Sequence, residues 1–268
     1  MICMPGHASA ILLYHNITDE PSSAMAPFTV TPKTFAEHMR LVAESGLPVL
    51  NAGQYAKERA ARECVVVTFD DGFVDFRSSA LPILQRFGIS ASLFVTTGWM
   101  EDAPPSQRKC GPADRMLHLR DLPSLAAEGV EIGSHSVTHP QMDTMGPHGA
   151  DLELSCSKTI LQQALGAQVE SFAYPHGFQS PRLRRQAHEA GYTCAYGVGN
   201  ALASSTSSQM NIPRLMAGPA TSAEVVAAWL RRTDTPVLGD RDRLRTQVFR
   251  LVRRSKARAK GDVLSDWT

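Results

Sequence analysis

The stretch VVVTFDDGF, from Val65 to Phe73, decides the fold. Its run of β-branched and aromatic residues predicts a strand buried on both faces, as in a parallel sheet. Two adjacent carboxylates, Asp70 and Asp71, follow where this strand should end. Asp and Gly are favoured turn residues, so the stretch alone is compatible with a plain turn. Catalytic groups also gather at the carboxyl ends of parallel strands, so an active site is the second interpretation.

Strand-like runs alternate with helix-like segments along the chain, and the predicted helices end in glycine. Strands are predicted at residues 9–15, 47–51, 64–70, 91–97, 130–135, 171–175, 193–198 and 212–216. Helices are predicted at 31–46 (with Thr34 as the cap), 78–88, 119–129, 151–166 and 180–191, and a polar loop at 201–209. This α/β alternation favours a closed or partly closed β/α barrel of seven or eight strands. An open doubly wound sheet would usually bring a GxGxxG turn after the first strand, and the sequence has none.

The composition is that of an ordinary globular protein, with 268 residues, 43% hydrophobic and 20% charged, and a net charge of +1. Five scattered cysteines without a CxxC spacing do not form a disulfide framework and favour a reducing compartment. The first twenty residues contain no Lys or Arg and only a short apolar run, which argues against a secretory signal. We therefore expect a cytoplasmic protein, without a membrane span and without a nucleic-acid partner.

A second informative stretch, EIGSHSVTHP, places His135 and His139 after a predicted strand. In one turn of helix, residues four apart face the same way, so the two imidazoles could bind one metal ion. A histidine pair at the surface or in the core is the alternative. The strand-end clusters of a barrel converge on one face, so the Asp and His pairs should meet. One carboxylate and two His leave positions for water, as hydrolytic metal catalysis requires, and the other carboxylate can act as general base.

The third stretch, SFAYPHG, is a predicted strand that leads into a tight turn at Pro175 and Gly177. The backbone N–H of Tyr174 could point at the metal and stabilise the oxyanion of a tetrahedral intermediate. A plain turn is the alternative.

In this order, TFDDG, HSVTH and FAYPHG resemble the motifs of the polysaccharide deacetylases of carbohydrate esterase family 4, over roughly residues 9 to 216. The resemblance implies a distorted β/α barrel and a divalent metal, commonly zinc. It also implies removal of acetyl groups from N-acetylated amino sugars in a poly- or oligosaccharide. At the matching positions, Asp70 would be the catalytic base, and Asp71, His135 and His139 the metal ligands. A ligand set of this kind also accepts Co²⁺, Ni²⁺ or Mn²⁺.

The sequence departs from the common family pattern at the general acid. Many members carry their acid His near the C-terminal end of the domain, but this chain has no His after His188. A subset resembling the biofilm poly-N-acetylglucosamine deacetylases takes this His from the first strand, in a segment like YH. Here ILLYHNI ends the first strand with His15, which the resemblance therefore assigns as the acid that protonates the leaving amine. A structural role at the strand end is the alternative.

Four further side chains are candidates for the site. The third motif lacks the Arg that often begins it, and Arg214 in NIPRLM could replace it and orient Asp70 through a charge-assisted pair. An ordinary surface Arg is the alternative. We expect His176 to line the substrate cleft. Phe73 and Trp99 could stack on a sugar ring, although core packing is the more common fate of both.

The pattern changes after about residue 220, which divides the chain into a catalytic barrel (1–220) and a C-terminal helical extension with a basic tail (221–268). Two helices are predicted there, at 221–233 and 240–261, the second with an apolar face formed by Leu244, Val248, Leu251 and Val252. Residues 231–260 contain eleven Lys and Arg against three Asp, so the rest of the chain is mildly acidic. Such a helix either packs on the barrel with a solvated basic face or makes peripheral contact with an anionic membrane.

Several functional alternatives stay open. The favoured substrate is a glycan that contains N-acetylglucosamine, and a lipid-linked glycan precursor is a second choice. A catalytically silent carbohydrate-binding protein on the same barrel would not need the complete set of two Asp and two His. An iron oxygenase could use two His and one carboxylate, but the αβ alternation and the second Asp fit it poorly.

Overall fold

A computed structural model describes residues 7–58, 62–106, 108–109 and 111–238. The helix predicted at 240–261, with its apolar face and basic residues, lies outside the described residues. No helix in the described ranges is both long enough and apolar enough to cross a membrane.

Ten strands and seven α-helices occur along the described chain, and they alternate over much of its length. The strands are β1 (Ala8–Tyr14), β2 (Val49–Leu50), β3 (Val65–Phe69), β4 (Ser92–Val95), β5 (Glu131–Ser134), β6 (Ser171–Ala173), β7 (Cys194–Tyr196), β8 (Leu202–Ser204), β9 (Leu215–Met216) and β10 (Val237–Leu238). The helices are α1 (Pro32–Glu44), α2 (Ala52–Glu58), α3 (Leu81–Phe87), α4 (Leu122–Ala127), α5 (Pro147–Leu165), α6 (Pro181–Glu189) and α7 (Ala223–Arg231).

The central strands form a curled parallel sheet in the order β1-β3-β4-β5-β6-β7. An isolated bridge from Tyr196 to Ile212 joins β7 to the segment that enters β9, and β9 pairs with β1. The ends of the parallel sheet are thereby connected, which confirms the predicted distorted β/α barrel. The antiparallel β8 and its neighbour β10 extend the sheet at the amino end of β1.

Alternate residues of each central strand enter two different cores, because side chains in a strand point to opposite faces. In β3, Val65, Val67 and Phe69 pack with the core beneath the helices, whereas Val66 belongs to a smaller cluster with Phe94 and Tyr196. All five residues of β3 are buried. Burial on both faces explains why this strand is a continuous hydrophobic run in the sequence.

Polar contacts close the amino end of the barrel and leave the carboxyl end for the site. The carboxylate of Glu131, at the start of β5, accepts hydrogen bonds from Gly53 N–H (2.9 Å), Ser92 Oγ (2.8 Å) and Ser171 Oγ (2.8 Å). The Tyr196 hydroxyl donates to the Ala52 carbonyl (2.6 Å). Together they tie α2, which the sequence pattern did not predict, to the starts of β4, β5 and β6.

Two local predictions are wrong, and two predicted strands are shorter than expected. The cap of α1 is Thr31, whose Oγ1 accepts from Thr34 N–H (3.2 Å), because Pro32 provides a first helical residue with a preset φ. The predicted polar loop at 201–209 contains β8, since the buried Leu202 and Ala203 continue the sheet. The strands predicted at 47–51 and 212–216 shorten to two residues each, because only those residues pair with β3 and β1.

The first part of the predicted extension packs on the barrel. Helix α7 lies against α1 and buries Val226 and Leu230. The proposed boundary between residues 220 and 221 stays a prediction.

A buried histidine links β1, α1 and the turn before α7. The Nε2–H of His38 donates to the Thr221 carbonyl (3.1 Å), so its Nδ1 accepts from the Tyr14 hydroxyl (3.1 Å). Burial lowers the pKa of His38 below its usual 6.5, although the hydrogen bond to Thr221 opposes this shift. The folded protein therefore holds this imidazole neutral at a pH where the unfolded chain binds a proton.

We expect the free energy of unfolding to fall as the pH drops below about 6.5, by up to about 1.4 kcal/mol per pH unit from His38 alone. The variant His38→Gln should lack this contribution, because an amide can keep both hydrogen bonds without titrating. Urea unfolding of both proteins at pH 7.5 and 5.5 tests this. An identical pH dependence in the two proteins would contradict the assignment.

Candidate active site

The predicted catalytic and metal-binding residues gather at the carboxyl ends of three strands of the parallel sheet, of which β1 and β3 are adjacent and β5 is separated from β3 by β4. His15 follows β1, Asp70 and Asp71 follow β3, and His135 follows β5. The ligand atoms of Asp71, His135 and His139 all lie within 4.8 Å of one another, and the three side chains are buried. The sequence motifs therefore converge on one face of the barrel.

A tight turn separates the two aspartates. The N–H of Gly72 donates to the carbonyl of Asp70 (3.0 Å), so the chain reverses around Asp71, whose φ is 75°. A γ-turn of this hand is rare and strained, and such strain is typical of functional sites. Gly72 itself has a φ of 97°, a backbone conformation that residues with a side chain rarely adopt, so this position favours glycine. The turn lets two adjacent carboxylates face different partners.

The two histidines converge through a bent loop, and the predicted helical turn is wrong. Ser136 and His139 have positive φ values of 71° and 56°. The buried Glu153 of α5 holds this loop by accepting from Val137 N–H (2.8 Å), Thr138 N–H (2.9 Å) and Thr138 Oγ1 (2.6 Å). One carboxylate thus stabilises the backbone between the two imidazoles.

The tautomer of His135 is set by its surroundings. Its Nδ1 lies 2.8 Å from the carbonyl of Ala173, which only accepts, so Nδ1 carries the proton. The free lone pair of Nε2 then faces Asp71 Oδ1 and Asp70 Oδ2, each at 3.6 Å. The Nε2 of His139 lies 3.5 Å from the same Asp71 oxygen. Burial lowers the pKa of His135 to about 4 and that of His139 well below its usual value, so both imidazoles are neutral near pH 7.

This donor set fits a divalent metal ion. The Oδ1 of Asp71 is buried and has no hydrogen-bond partner among the described residues, which is costly for a carboxylate. Burial, with the neighbouring charge of Asp70, raises the pKa of Asp71 well above its usual value, and a cation would reverse this effect. Tetrahedral zinc sites with bonds of about 2.0–2.1 Å place neighbouring ligand atoms about 3.4 Å apart. The separations of 3.5 and 3.6 Å are close to that spacing.

Asp70 forms a bidentate ion pair with Arg214. The two guanidinium NH groups donate to Oδ1 and Oδ2, both at 2.7 Å, and Nε donates to the Gly197 carbonyl (3.1 Å). Arg214 is 0% exposed, which excludes the surface alternative. Burial is the largest single effect and opposes ionisation of Asp70, but the charge and hydrogen bonds of Arg214, together with the nearby imidazoles, outweigh it and hold the pKa of Asp70 below its usual value. Asp70 is therefore a permanent carboxylate beside the metal site.

His15 lies next to this carboxylate and is half-buried. The Asp70 N–H donates to the Tyr14 carbonyl (3.0 Å), which holds the two strand ends together. Burial lowers the pKa of His15 to about 4, although the charge of Asp70 opposes this. Its Nδ1 makes no hydrogen bond to any residue that the structure describes. The resting imidazole is thus neutral and packs beside the ring of Phe28, at 5.4 Å between centroids.

A sequence profile of the polysaccharide deacetylase family matches residues 57–195, just over half of the chain. The chain belongs to the polysaccharide deacetylase family. Deacetylases of this family are metal-dependent hydrolases that act on N-acetylated glycans. The matched segment contains Asp70, Asp71, His135 and His139.

Individual relatives agree with this assignment. The Bacillus subtilis (strain 168) protein YxkH, whose name refers to polysaccharide deacetylases, is 23% identical over 225 residues, covering 82% of this chain and 75% of its own. The Streptococcus pyogenes deacetylase PplD, solved in complex with acetate, superposes with a TM-score of 0.73 at 24% identity, covering 84% of this chain and 99% of that one. IcaB from Ammonifex degensii superposes with a TM-score of 0.68 at 18% identity, covering 85% of this chain and 98% of that one. Both structures support the fold.

The oxyanion role predicted for Tyr174 in this deacetylase is wrong. Its N–H donates to the Tyr196 carbonyl (2.9 Å) because β6 pairs with β7 at this point. Its hydroxyl donates to the Met210 carbonyl (3.0 Å), and the whole residue is buried. Both donors of Tyr174 therefore serve the fold.

The predicted sugar-stacking residues of the deacetylase are also placed differently. Phe73 is 1% exposed and Trp99 is 5% exposed, so core packing, the alternative for both, is observed. The Trp99 ring lies 4.9 Å from the ring of His139 and supports that imidazole. His176 is half-buried, with its ring 4.5 Å from that of His139, so it lies at the site, and its contact with substrate stays a prediction.

Sequence reasoning missed four residues that shape the deacetylase site. Phe28 and Phe178 are half-buried aromatic side chains beside His15 and His176, respectively. Glu153 holds the loop that carries His139. Asp75 holds the segment that follows His15. Glu153 and Asp75 resemble ordinary surface carboxylates in the sequence, and only their partners reveal them.

Proposed function

We propose that this protein is a metal-dependent N-deacetylase that hydrolyses the acetamide of N-acetylglucosamine units in a poly- or oligosaccharide. The observation that carries the proposal is the buried Asp71, His135 and His139 set beside a second carboxylate, Asp70, that Arg214 holds ionised. Zn²⁺ is the simplest ion for these ligands, and Co²⁺, Ni²⁺ or Mn²⁺ would also suit them. When bound, the ion supplies a Lewis acid that polarises the acetamide carbonyl and lowers the pKa of water toward about 7.

Asp70 acts as the general base through its Oδ2. This oxygen lies 3.6 Å from His135 Nε2 and so faces the metal site. Arg214 occupies one lone pair of each carboxylate oxygen, and the second lone pair of Oδ2 remains to take a proton from water. The fixed guanidinium also orients the carboxylate, which removes rotational freedom that the reaction would otherwise have to restrict.

His15 donates a proton to the amine nitrogen as the carbon–nitrogen bond breaks. The water oxygen joins the acetyl carbon, and acetate and the free amine leave. His15 is neutral at rest and must gain a proton before it can donate one. During turnover, water first loses a proton to Asp70. This proton then reaches the His15 imidazole, which delivers it to the amine. The protons then balance without any other donor.

Phe28 and Phe178 are the aromatic side chains that we assign to substrate contact, together with His176. Sugar rings pack their C–H faces on aromatic rings, and these two phenylalanines keep part of their surface exposed next to the site. They replace Phe73 and Trp99 in this role. A lipid-linked glycan precursor would use the same contacts, and the basic tail would then add a membrane contact.

Elemental analysis combined with an acetate-release assay tests the proposal. We expect about one divalent ion per chain, and acetate release from N-acetylglucosamine oligomers that stops after chelation and returns when Zn²⁺ is added. Bound metal without hydrolysis of any N-acetylated glycan would favour the silent carbohydrate-binding alternative. A protein that stays metal-free in excess Zn²⁺ would overturn the proposal.

A further inference from the structure

The segment that follows His15 is held by a carboxylate that the mechanism does not use. Oδ1 of Asp75 accepts from the N–H of Ile17 (2.8 Å), and Oδ2 accepts from the side-chain amide of Asn16 (3.1 Å). Asn16 and Ile17 are fully buried. Both oxygens of Asp75 therefore bind the two residues directly after His15.

The backbone on either side of His15 is restrained as well. The carbonyl of Tyr14 accepts from Asp70 N–H, and the carbonyl of Asn16 accepts from Val30 N–H, both at 3.0 Å. Asp70 and Asp75 belong to the same stretch of chain after β3. This stretch therefore holds His15 from the strand side through the Asp70 backbone and from the loop side through the Asp75 carboxylate.

We infer that Asp75 is a positioning residue that fixes His15 relative to Asp70, so that proton donor and base approach the same acetamide. The inference rests on the proposed function, in which His15 is the donor. Catalytic groups lose rate steeply when they are misplaced, by about 10²-fold for a shift near 1 Å. Two hydrogen bonds accepted by one carboxylate are a direct way to prevent such a shift.

The placement of Asp75 is costly for the fold, as expected of a group retained for function. Burial raises the pKa of Asp75 to about 6, although the hydrogen bonds from Ile17 and Asn16 oppose the shift. A polar side chain on the protein surface would not carry this cost.

The same loop offers a matched control. Asp114 accepts from the N–H of Ser22 (3.0 Å) and from its hydroxyl, so it also holds the loop through two hydrogen bonds from one residue. Ser22 is seven residues from His15 along the chain. Losing the Asp114 contacts should loosen the loop without moving the imidazole.

The experiment compares an amide substrate with an ester substrate in metal-loaded protein. N-acetylglucosamine oligomers have an amine leaving group that needs a proton, whereas 4-nitrophenyl acetate has a leaving group that does not. We expect Asp75→Ala to lower kcat on the oligomers about 10- to 100-fold with the ester rate nearly unchanged. His15→Ala should show the same selective loss, and Asp114→Ala should leave the amide-to-ester ratio unchanged.

Two further variants test whether Asp75 acts through His15. The double variant His15→Ala with Asp75→Ala should be no slower than His15→Ala alone, because the positioned group is already absent. Asp75→Asn should restore much of the rate, since its carbonyl can accept from Ile17 and its amide can donate to Asn16 Oδ1. That oxygen has no hydrogen-bond partner within the described structure. Additive losses in the double variant would overturn the inference.

An imidazole NMR spectrum provides a readout that does not depend on activity. The His15 signal, assigned with His15→Ala, should shift in Asp75→Ala and stay in place in Asp114→Ala. An unmoved signal would overturn the inference.

If His15→Ala keeps full amide activity, the proposed proton donor is wrong, and the spectrum still decides whether Asp75 positions His15. If Asp75→Ala does not fold, Asn16→Ala removes one of the two hydrogen bonds and takes its place in both measurements.

Discussion

Replacing Asp70 by Asn is expected to slow acetate release on the order of 10²- to 10⁴-fold while the metal remains bound. Asparagine has nearly the same shape but cannot accept the proton of water. The three metal ligands Asp71, His135 and His139 are untouched by the change. The rate is measured on N-acetylglucosamine oligomers, and the metal content of the same sample by elemental analysis.

A matched variant separates loss of the base from loss of the metal. His139→Ala should lose both activity and metal, because it removes one of three ligands. Asp70→Asn should lose activity alone. An Asp70→Asn protein that works at the wild-type rate would show that the general base is a different residue.

Removing Arg214 is expected to lower the free energy of unfolding by about 3–5 kcal/mol. Arg214→Met leaves the Asp70 carboxylate buried, without the guanidinium that donates to both of its oxygens. Without that charge, burial dominates and the pKa of Asp70 rises. Acetate release should therefore also fall, most strongly at low pH where the carboxyl holds a proton. Urea unfolding and a pH–rate profile measure the two effects.

The double variant Asp70→Asn with Arg214→Met provides the control for this pair. Because removal of both partners leaves no unpaired buried charge, the double variant should lose less unfolding free energy than the sum of the losses in the two single variants. Its activity should stay as low as that of Asp70→Asn. Strictly additive losses of stability would mean that the two residues do not depend on each other. Arg214→Lys keeps the charge but not the bidentate geometry, and we expect an intermediate result.

Much of the barrel could be predicted because its strands are buried on both faces. A strand such as β3, in which every residue is buried, consists almost entirely of apolar residues. The convergence of Asp70, Asp71, His135 and His139 followed from one general rule, namely that the ends of parallel strands share a face. The strands predicted at 47–51 and 212–216 exist as β2 and β9, but their two-residue length and the two-residue β10 could not be predicted, since two residues carry no periodicity.

The errors at the site have a common physical origin. The sequence gives only the side-chain chemistry of Tyr174, Phe73 and Trp99 and their distance along the chain from the motifs. Their environment depends on neighbours that are remote in sequence, such as Tyr196 for Tyr174 and His139 for Trp99. The half-buried Phe28 comes from a loop after β1, and only folding brings it beside the catalytic groups.

The order of apolar runs, glycines and polar clusters was sufficient to identify the α/β barrel, the two carboxylates and the histidine pair of this deacetylase. These features are local, since a strand, a turn and a ligand-bearing motif each lie within a few consecutive residues. The tertiary structure decided between the two interpretations of Arg214, which holds Asp70. It alone revealed the other groups that hold the site in place: the Ala173 carbonyl on His135, Glu153 on the histidine loop and Asp75 on the loop after His15. The hydrogen bonds between Arg214 and Asp70 join residues that are 144 positions apart, and no pattern of neighbouring residues contains that information.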